Sequence, residues 1–195
     1  MKNMIKVIIM MILIGVSFSP SPVMGQFFFM ENQQVGKPAP DFTLKTLAGE
    51  ELNFTQYRDG KKAIIFFWAT WCPHCRTQIK ELKKTYQSFT DKGIQLVLVD
   101  QGEKPAVVEA YMKKNKLDFT IFLDQETSLA EPYGLIGLPT LVFVDKEGIV
   151  LDVTHGIPED YEKIFNYNPD SKVEHQQKPV KKQPFWQDFW QKLFR

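Results

Sequence analysis

The sequence predicts an α/β fold: helices cover a mixed central sheet, and a small hairpin is added ahead of it. Three observations predict this. Apolar runs of strand length alternate with amphipathic segments of helix length, as in a sheet covered by helices. Late in the chain, Asp145-Lys146-Glu147-Gly148 separates two strand-like runs and so contributes an antiparallel pair. Two further short runs, parted by Ala48-Gly49-Glu50, precede the first long apolar run.

Residues 1–25 read as a secretory signal, or alternatively an uncleaved anchor. Lys2 and Lys6 form the positive start, Val7 to Phe18 the apolar core, and Val23 and Gly25 a small-residue cleavage site before Gln26. The core is short against the ~20 apolar residues that span a bilayer, although Phe27-Phe28-Phe29-Met30 would help an anchor. No cysteine lies near the cleavage site, which excludes a lipoprotein. Residues 26–34 read as a spacer and 35–167 as the folded domain.

Within the domain, small strands are expected near Phe42–Leu44 and Leu52–Phe54. Ala63-Ile64-Ile65-Phe66-Phe67-Trp68 is a short, continuous apolar run, the signature of a buried strand. It leads directly into Cys72-Pro73-His74-Cys75. Ile79, Leu82, Tyr86 and Phe89 then recur at helical spacing to about Asp91, where Lys92-Gly93 closes the helix. Ile94–Val99 is the next buried strand, and Pro105 opens a helix through Val108, Tyr111 and Met112 to Asn115. Thr120–Leu123 is a strand, and Ser128–Tyr133 a short helix with Pro132 awkwardly inside it. Thr140–Val144 and Ile149–Val153 form the hairpin. Pro158-Glu159-Asp160 starts a last helix with Tyr161, Ile164 and Phe165 as its apolar face.

Residues 168–183 are polar, with Lys178, Pro179, Lys181 and Lys182, and read as a linker. Residues 184–195 differ. Trp186, Trp190 and Phe194 step by four, as do Phe185 and Phe189, giving an aromatic amphipathic helix. So short a helix is marginal alone in water and needs an apolar surface: a membrane interface, the domain itself or a partner.

Lys and Arg number 24 against 23 Asp and Glu, a net charge of +1, so composition gives no nucleic-acid signal. Cys72 and Cys75 are the only cysteines. They cannot build a structural disulfide framework, and no second cysteine pair or closely spaced His pair completes a zinc site. No metal or cofactor is expected.

The spacing of the two cysteines points to redox chemistry. Thiolate is the attacking form of cysteine, and a helix start offers unpaired N–H groups and a positive dipole end. A sulfur on Cys72 is stabilised there as an anion. Pro73 suits the first helical position, and protonated His74 adds positive charge. Two intervening residues bring Cys75 within disulfide reach. Cys72 is therefore the candidate nucleophile and Cys75 the resolving thiol, working through a redox-active Cys72–Cys75 disulfide.

Three segments carry a family resemblance. Val35-Gly36-Lys37-Pro38-Ala39-Pro40-Asp41-Phe42, Phe67 to Cys75, and Tyr133-Gly134-Leu135-Ile136-Gly137-Leu138-Pro139-Thr140 together resemble the TlpA/ResA-like extracytoplasmic thiol–disulfide oxidoreductases of the thioredoxin superfamily. The resemblance implies a thioredoxin-like fold and a cis-proline at Pro139. It implies that Leu138, Pro139 and Thr140 form the loop that receives a substrate strand, with Trp68 and Trp71 as site walls. It also implies a location in the periplasm or on the outer face of the cytoplasmic membrane. Its partners would be protein thiols and disulfides, with a membrane-bound or soluble protein exchanging electrons with the pair. Pro-His between the cysteines is also the DsbA pair, which hints at an oxidising potential, whereas most members of the group are regarded as reductants; the direction of transfer stays open. Two positions depart from the pattern. Thioredoxins have a buried Asp where Phe66 stands, and TlpA/ResA-like reductases often have a Glu where Gln78 stands. Deprotonation of Cys75 then falls to water, to Glu81 or to another route.

Three rival readings compete. A thiol peroxidase shares the Pro38–Phe42 segment but needs Pro-x-x-x-Thr-x-x-Cys, and Ala69 lies three before Cys72. A copper carrier would use both thiols and a histidine, with His155 the only plausible third ligand. An interaction module would be recruited by its aromatic tail.

Overall fold

The structure, a computed structural model, describes residues 32–166. The signal, most of the spacer, the linker and the aromatic tail lie outside the described residues. Seven strands and four helices follow in the order β1 Thr43–Lys45, β2 Glu51–Asn53, α1 Phe54–Arg58, β3 Lys62–Trp68, α2 Pro73–Asp91, β4 Ile94–Gln101, α3 Pro105–Asn115, β5 Ile121–Asp124, β6 Thr140–Val144, β7 Val150–Thr154 and α4 Glu162–Phe165.

Five strands form one mixed sheet in the order β5-β4-β3-β6-β7. β3, β4 and β5 run parallel, while β6 is antiparallel to β3 and β7 to β6. The strand alternation splits the apolar runs between two faces. On one face Ile64, Phe66, Trp68, Leu96, Leu98, Leu141 and Phe143 pack against Ile79, Leu82 and Phe89 of α2 and Val108 and Met112 of α3. On the other, Ile65, Phe67, Val97, Val99, Val142 and Val144 pack under Phe42, Phe54 and Tyr133. Burial on both faces is why the central strands read as continuous apolar runs.

The expected hairpin is present as β1–β2, paired antiparallel from Thr43↔Asn53 to Lys45↔Glu51. It docks beside β5 through the Thr46↔Phe122 bridge and a Leu47 N–H to Ile121 carbonyl bond of 2.8 Å. Tyr133 closes this face: it is fully buried, its ring lies 5.0 Å from Phe67, and its hydroxyl donates to the Pro40 carbonyl.

Four expectations need correction. Phe54 belongs not to a strand but to α1, started by the Asn53 side chain, which accepts the Gln56 N–H at 3.0 Å. One turn of helix is too short to show a period. Its last residue, Arg58, is buried and donates to the carbonyls of Lys61, Asp145 and Lys146, joining α1 to the β6–β7 turn. Residues 128–134 are successive turns rather than a helix, organised by Asp124, whose carboxylate accepts from Ser128 N–H, Ser128 hydroxyl and Leu129 N–H. The last helix begins at Glu162, not at Pro158; a turn precedes it. Tyr86 is 40% exposed rather than core and meets Phe119 edge-on.

Candidate functional site

The C-terminal ends of β3 and β4 and the start of α2 converge where strand order changes direction, the usual place for sites in open α/β sheets. Cys72 and Cys75 are disulfide-bonded there, with Cα atoms 5.2 Å apart. Cys72 is the N-cap of α2. Its backbone is extended (φ −79°, ψ 113°), its sulfur accepts the Cys75 N–H at 3.1 Å, and Pro73 occupies the first turn. The helix therefore supplies a backbone donor directly to this sulfur. Both cysteines are buried, and the little exposure the pair has, 3%, belongs to Cys72. His74 lies exposed in the same turn.

The predicted wall residues separate. Trp71 is 66% exposed beside the disulfide, while Trp68 is fully buried beneath it, tilted against Tyr111 at 5.7 Å. The Leu138–Pro139 bond is cis. Thr140 donates to the Gly137 carbonyl at 2.7 Å and pairs with Phe67, which fixes the loop to β3. His155 directly follows β7. Its Nδ1 lies 2.9 Å from the Pro139 carbonyl oxygen, which can only accept, so Nδ1 carries the proton.

Three further placements bear on proton transfer. The Gln78 side-chain carbonyl accepts the Ile157 N–H at 3.0 Å and ties α2 to the segment after β7. Glu81 is exposed and paired with Lys84 at 2.8 Å, while Cys75 is buried, so the expectation that Glu81 serves Cys75 is not met. Asp100 is the residue that sequence reasoning missed. It sits in register with Trp68, fully buried, and neither carboxylate oxygen has a hydrogen-bond partner among the described residues. Burial, then the neighbouring Glu103, then Asp124 hold its proton on, pushing its pKa up to about 8. Glu103 in turn accepts from the Thr70 N–H at 2.5 Å and the Thr70 hydroxyl at 2.6 Å, clamping the turn that leads into Cys72. The signal for Asp100 was present: an acid closing the apolar run Ile94–Val99 at the carboxyl end of a central parallel strand.

A mixed sheet with a Cys-x-x-Cys disulfide at the start of the helix after its central strand, together with a cis-proline ahead of β6, defines a thioredoxin-fold thiol–disulfide oxidoreductase. The sequence matches the AhpC/TSA family over residues 35–153, and the chain belongs to that family. It is 31% identical over 152 residues to the thiol-disulfide oxidoreductase ResA of Bacillus thuringiensis subsp. konkukian, covering 77% of this chain and 86% of that protein. Among solved structures it resembles StoA from Bacillus subtilis (TM-score 0.54, 29% identity, 66% of this chain and 96% of that one). It also resembles the thioredoxin domain of a thiol-disulfide oxidoreductase from Bacteroides vulgatus (TM-score 0.57, 25% identity, 73% and 96%).

Proposed function

We propose that Cys72 attacks and Cys75 resolves in disulfide exchange with cysteines of other proteins outside the cytoplasm. The carrying observation is the asymmetry of the pair: Cys72 caps α2 and takes a backbone N–H on its sulfur, while Cys75 is sealed in the core. In the reducing direction, the Cys72 thiolate attacks a partner disulfide, forming a mixed disulfide and releasing one partner thiolate. Cys75, losing its proton, attacks the Cys72 sulfur and frees the second. The partner gains two electrons and the pair becomes a disulfide; the oxidising direction is the reverse.

Pro73 and His74 favour the thiolate on Cys72. Leu138, Pro139 and Thr140 receive the partner strand beside it, with exposed Trp71 offering apolar contact and Trp68 supporting the floor. The signal-like residues 1–25 support export, and 184–195 a contact with the membrane surface. Electrons are exchanged with a further membrane-bound or soluble protein.

Trapping tests the assignment. Cys75→Ser should accumulate a covalent adduct with a disulfide-bearing protein, and Cys72→Ser should not; an adduct on Cys75 alone would overturn the order. Hydrogen peroxide turnover far above that of free thiols would favour the peroxidase reading instead. Liposome co-sedimentation unchanged on deleting residues 184–195 would remove the membrane contact.

A further inference from the structure

Beside the disulfide, α2 and α3 leave a recess of about 460 Å³ between them. Its walls are regular. Pro73, Arg76, Thr77 and Lys80 lie at i, i+3, i+4 and i+7 on α2, and Tyr111 and Lys114 at i and i+3 on α3. One continuous helix face thus starts inside the Cys-x-x-Cys motif and runs away from it, opposed by one face of the neighbouring helix. Three cations line the recess and no carboxylate does.

Nearby acids do not neutralise these cations. Glu81 on α2 pairs with Lys84 at 2.8 Å, and Glu109 on α3 with Lys113 at 2.7 Å. Asp91, at the far end of α2, accepts from Gln87. Among the described residues, Arg76, Lys80 and Lys114 have no carboxylate within ion-pair distance. Like charges gathered in a cleft without internal partners raise the local potential, and walls of low dielectric focus it.

We propose that this recess receives an acidic segment of the protein whose cysteine reacts at Cys72, so that the enzyme selects partners with Asp or Glu displaced to the α2–α3 side of the reactive sulfur. The inference rests on the exchange reaction above and adds the chemistry of its partner. A concave cleft between two helices suits a peptide better than a bilayer plane. The contact is electrostatic and exposed, so it acts mainly on encounter rate and weakens with salt.

The test uses the full chain and two disulfide peptides, identical except for Glu or Lys flanks, with bis(2-hydroxyethyl) disulfide as a neutral control. Exchange with the Glu-flanked peptide is expected to be at least about tenfold faster at low ionic strength. The ratio should fall towards one near ~1 M salt, where screening reaches ~3 Å. The Lys80→Glu, Lys114→Glu double variant should abolish or invert the preference and leave the neutral disulfide unchanged. Equal rates for both peptides at low salt, or a preference that survives the double variant, would overturn the proposal. Anisotropy of a labelled, cysteine-free Ala/Glu peptide reads the recess without redox chemistry: binding lost in the double variant supports it, and no binding opposes it. If no disulfide exchanges, the oxidoreductase roles fail and the anisotropy arm still decides the recess. Binding to phosphatidylglycerol vesicles that is lost in the double variant, with no peptide preference, would assign the lysines to lipid and overturn it.

Discussion

His155 Nδ1 donates to the Pro139 carbonyl oxygen across 2.9 Å, joining the residue after β7 to the cis-proline that precedes β6. The same nitrogen lies 3.5 Å from the Thr140 hydroxyl, which is itself committed to Gly137. A residue far from Cys72 in sequence thereby fixes the Pro139 loop, the segment proposed to receive a partner strand. His155→Ala should cost about 1 kcal/mol of stability by urea unfolding, the net worth of one such bond. It should slow exchange with a protein disulfide several-fold while leaving the Cys72 pKa unchanged. Loss of rate together with a shifted Cys72 pKa would show that His155 acts on the sulfur instead.

Asp100 makes stability pH-dependent. Its native pKa of about 8 stands above the ~3.9 of an unfolded Asp, so between these values the native state binds the extra proton. Stability from this group is fully present below about pH 4 and is lost as pH rises through about 8. The neighbouring acids Glu103 and Asp124 hold the proton on after burial has done most. Asp100→Asn should flatten the decline of the urea midpoint over that window. An unchanged slope would place the titration elsewhere.

Glu103 couples that proton to the active-site turn through its two bonds to Thr70. Glu103→Ala removes a charged acceptor from both a backbone N–H and a hydroxyl, and should destabilise by about 2–4 kcal/mol. It also removes the second cause of the raised Asp100 pKa, so the pH-dependent decline should shift to lower pH. Amide hydrogen exchange at residues 69–72 should accelerate in the same variant.

Cys72, once reduced, should titrate below the ~8.5 of a free thiol, because a helix start and the Cys75 N–H stabilise its anion. Thiolate absorbance against pH checks this. His74→Ala should move the midpoint upward. A wild-type midpoint at or above ~8.5 would contradict the nucleophile assignment.

What order along the chain encodes here is local. Continuous apolar runs marked β3 and β4, the 3.6-residue recurrence marked α2, Pro105 opened α3 where expected, and the two-residue spacing of Cys72 and Cys75 put both sulfurs at one helix start. Each of these follows from neighbours along the chain, whose preferences are legible in order. The short elements were less legible, since a single turn such as Phe54–Arg58 rests on one capping side chain rather than on a period.

Which distant groups meet is set by the folded chain. Asp100 lies across from Trp68 because two parallel strands share a register, Glu103 reaches back to Thr70, Gln78 meets Ile157 and His155 meets Pro139. None of these pairs has a sequence spacing that encodes it. Their proximity comes from sheet order and helix packing, and burial then sets whether a carboxylate such as Asp100 keeps its proton.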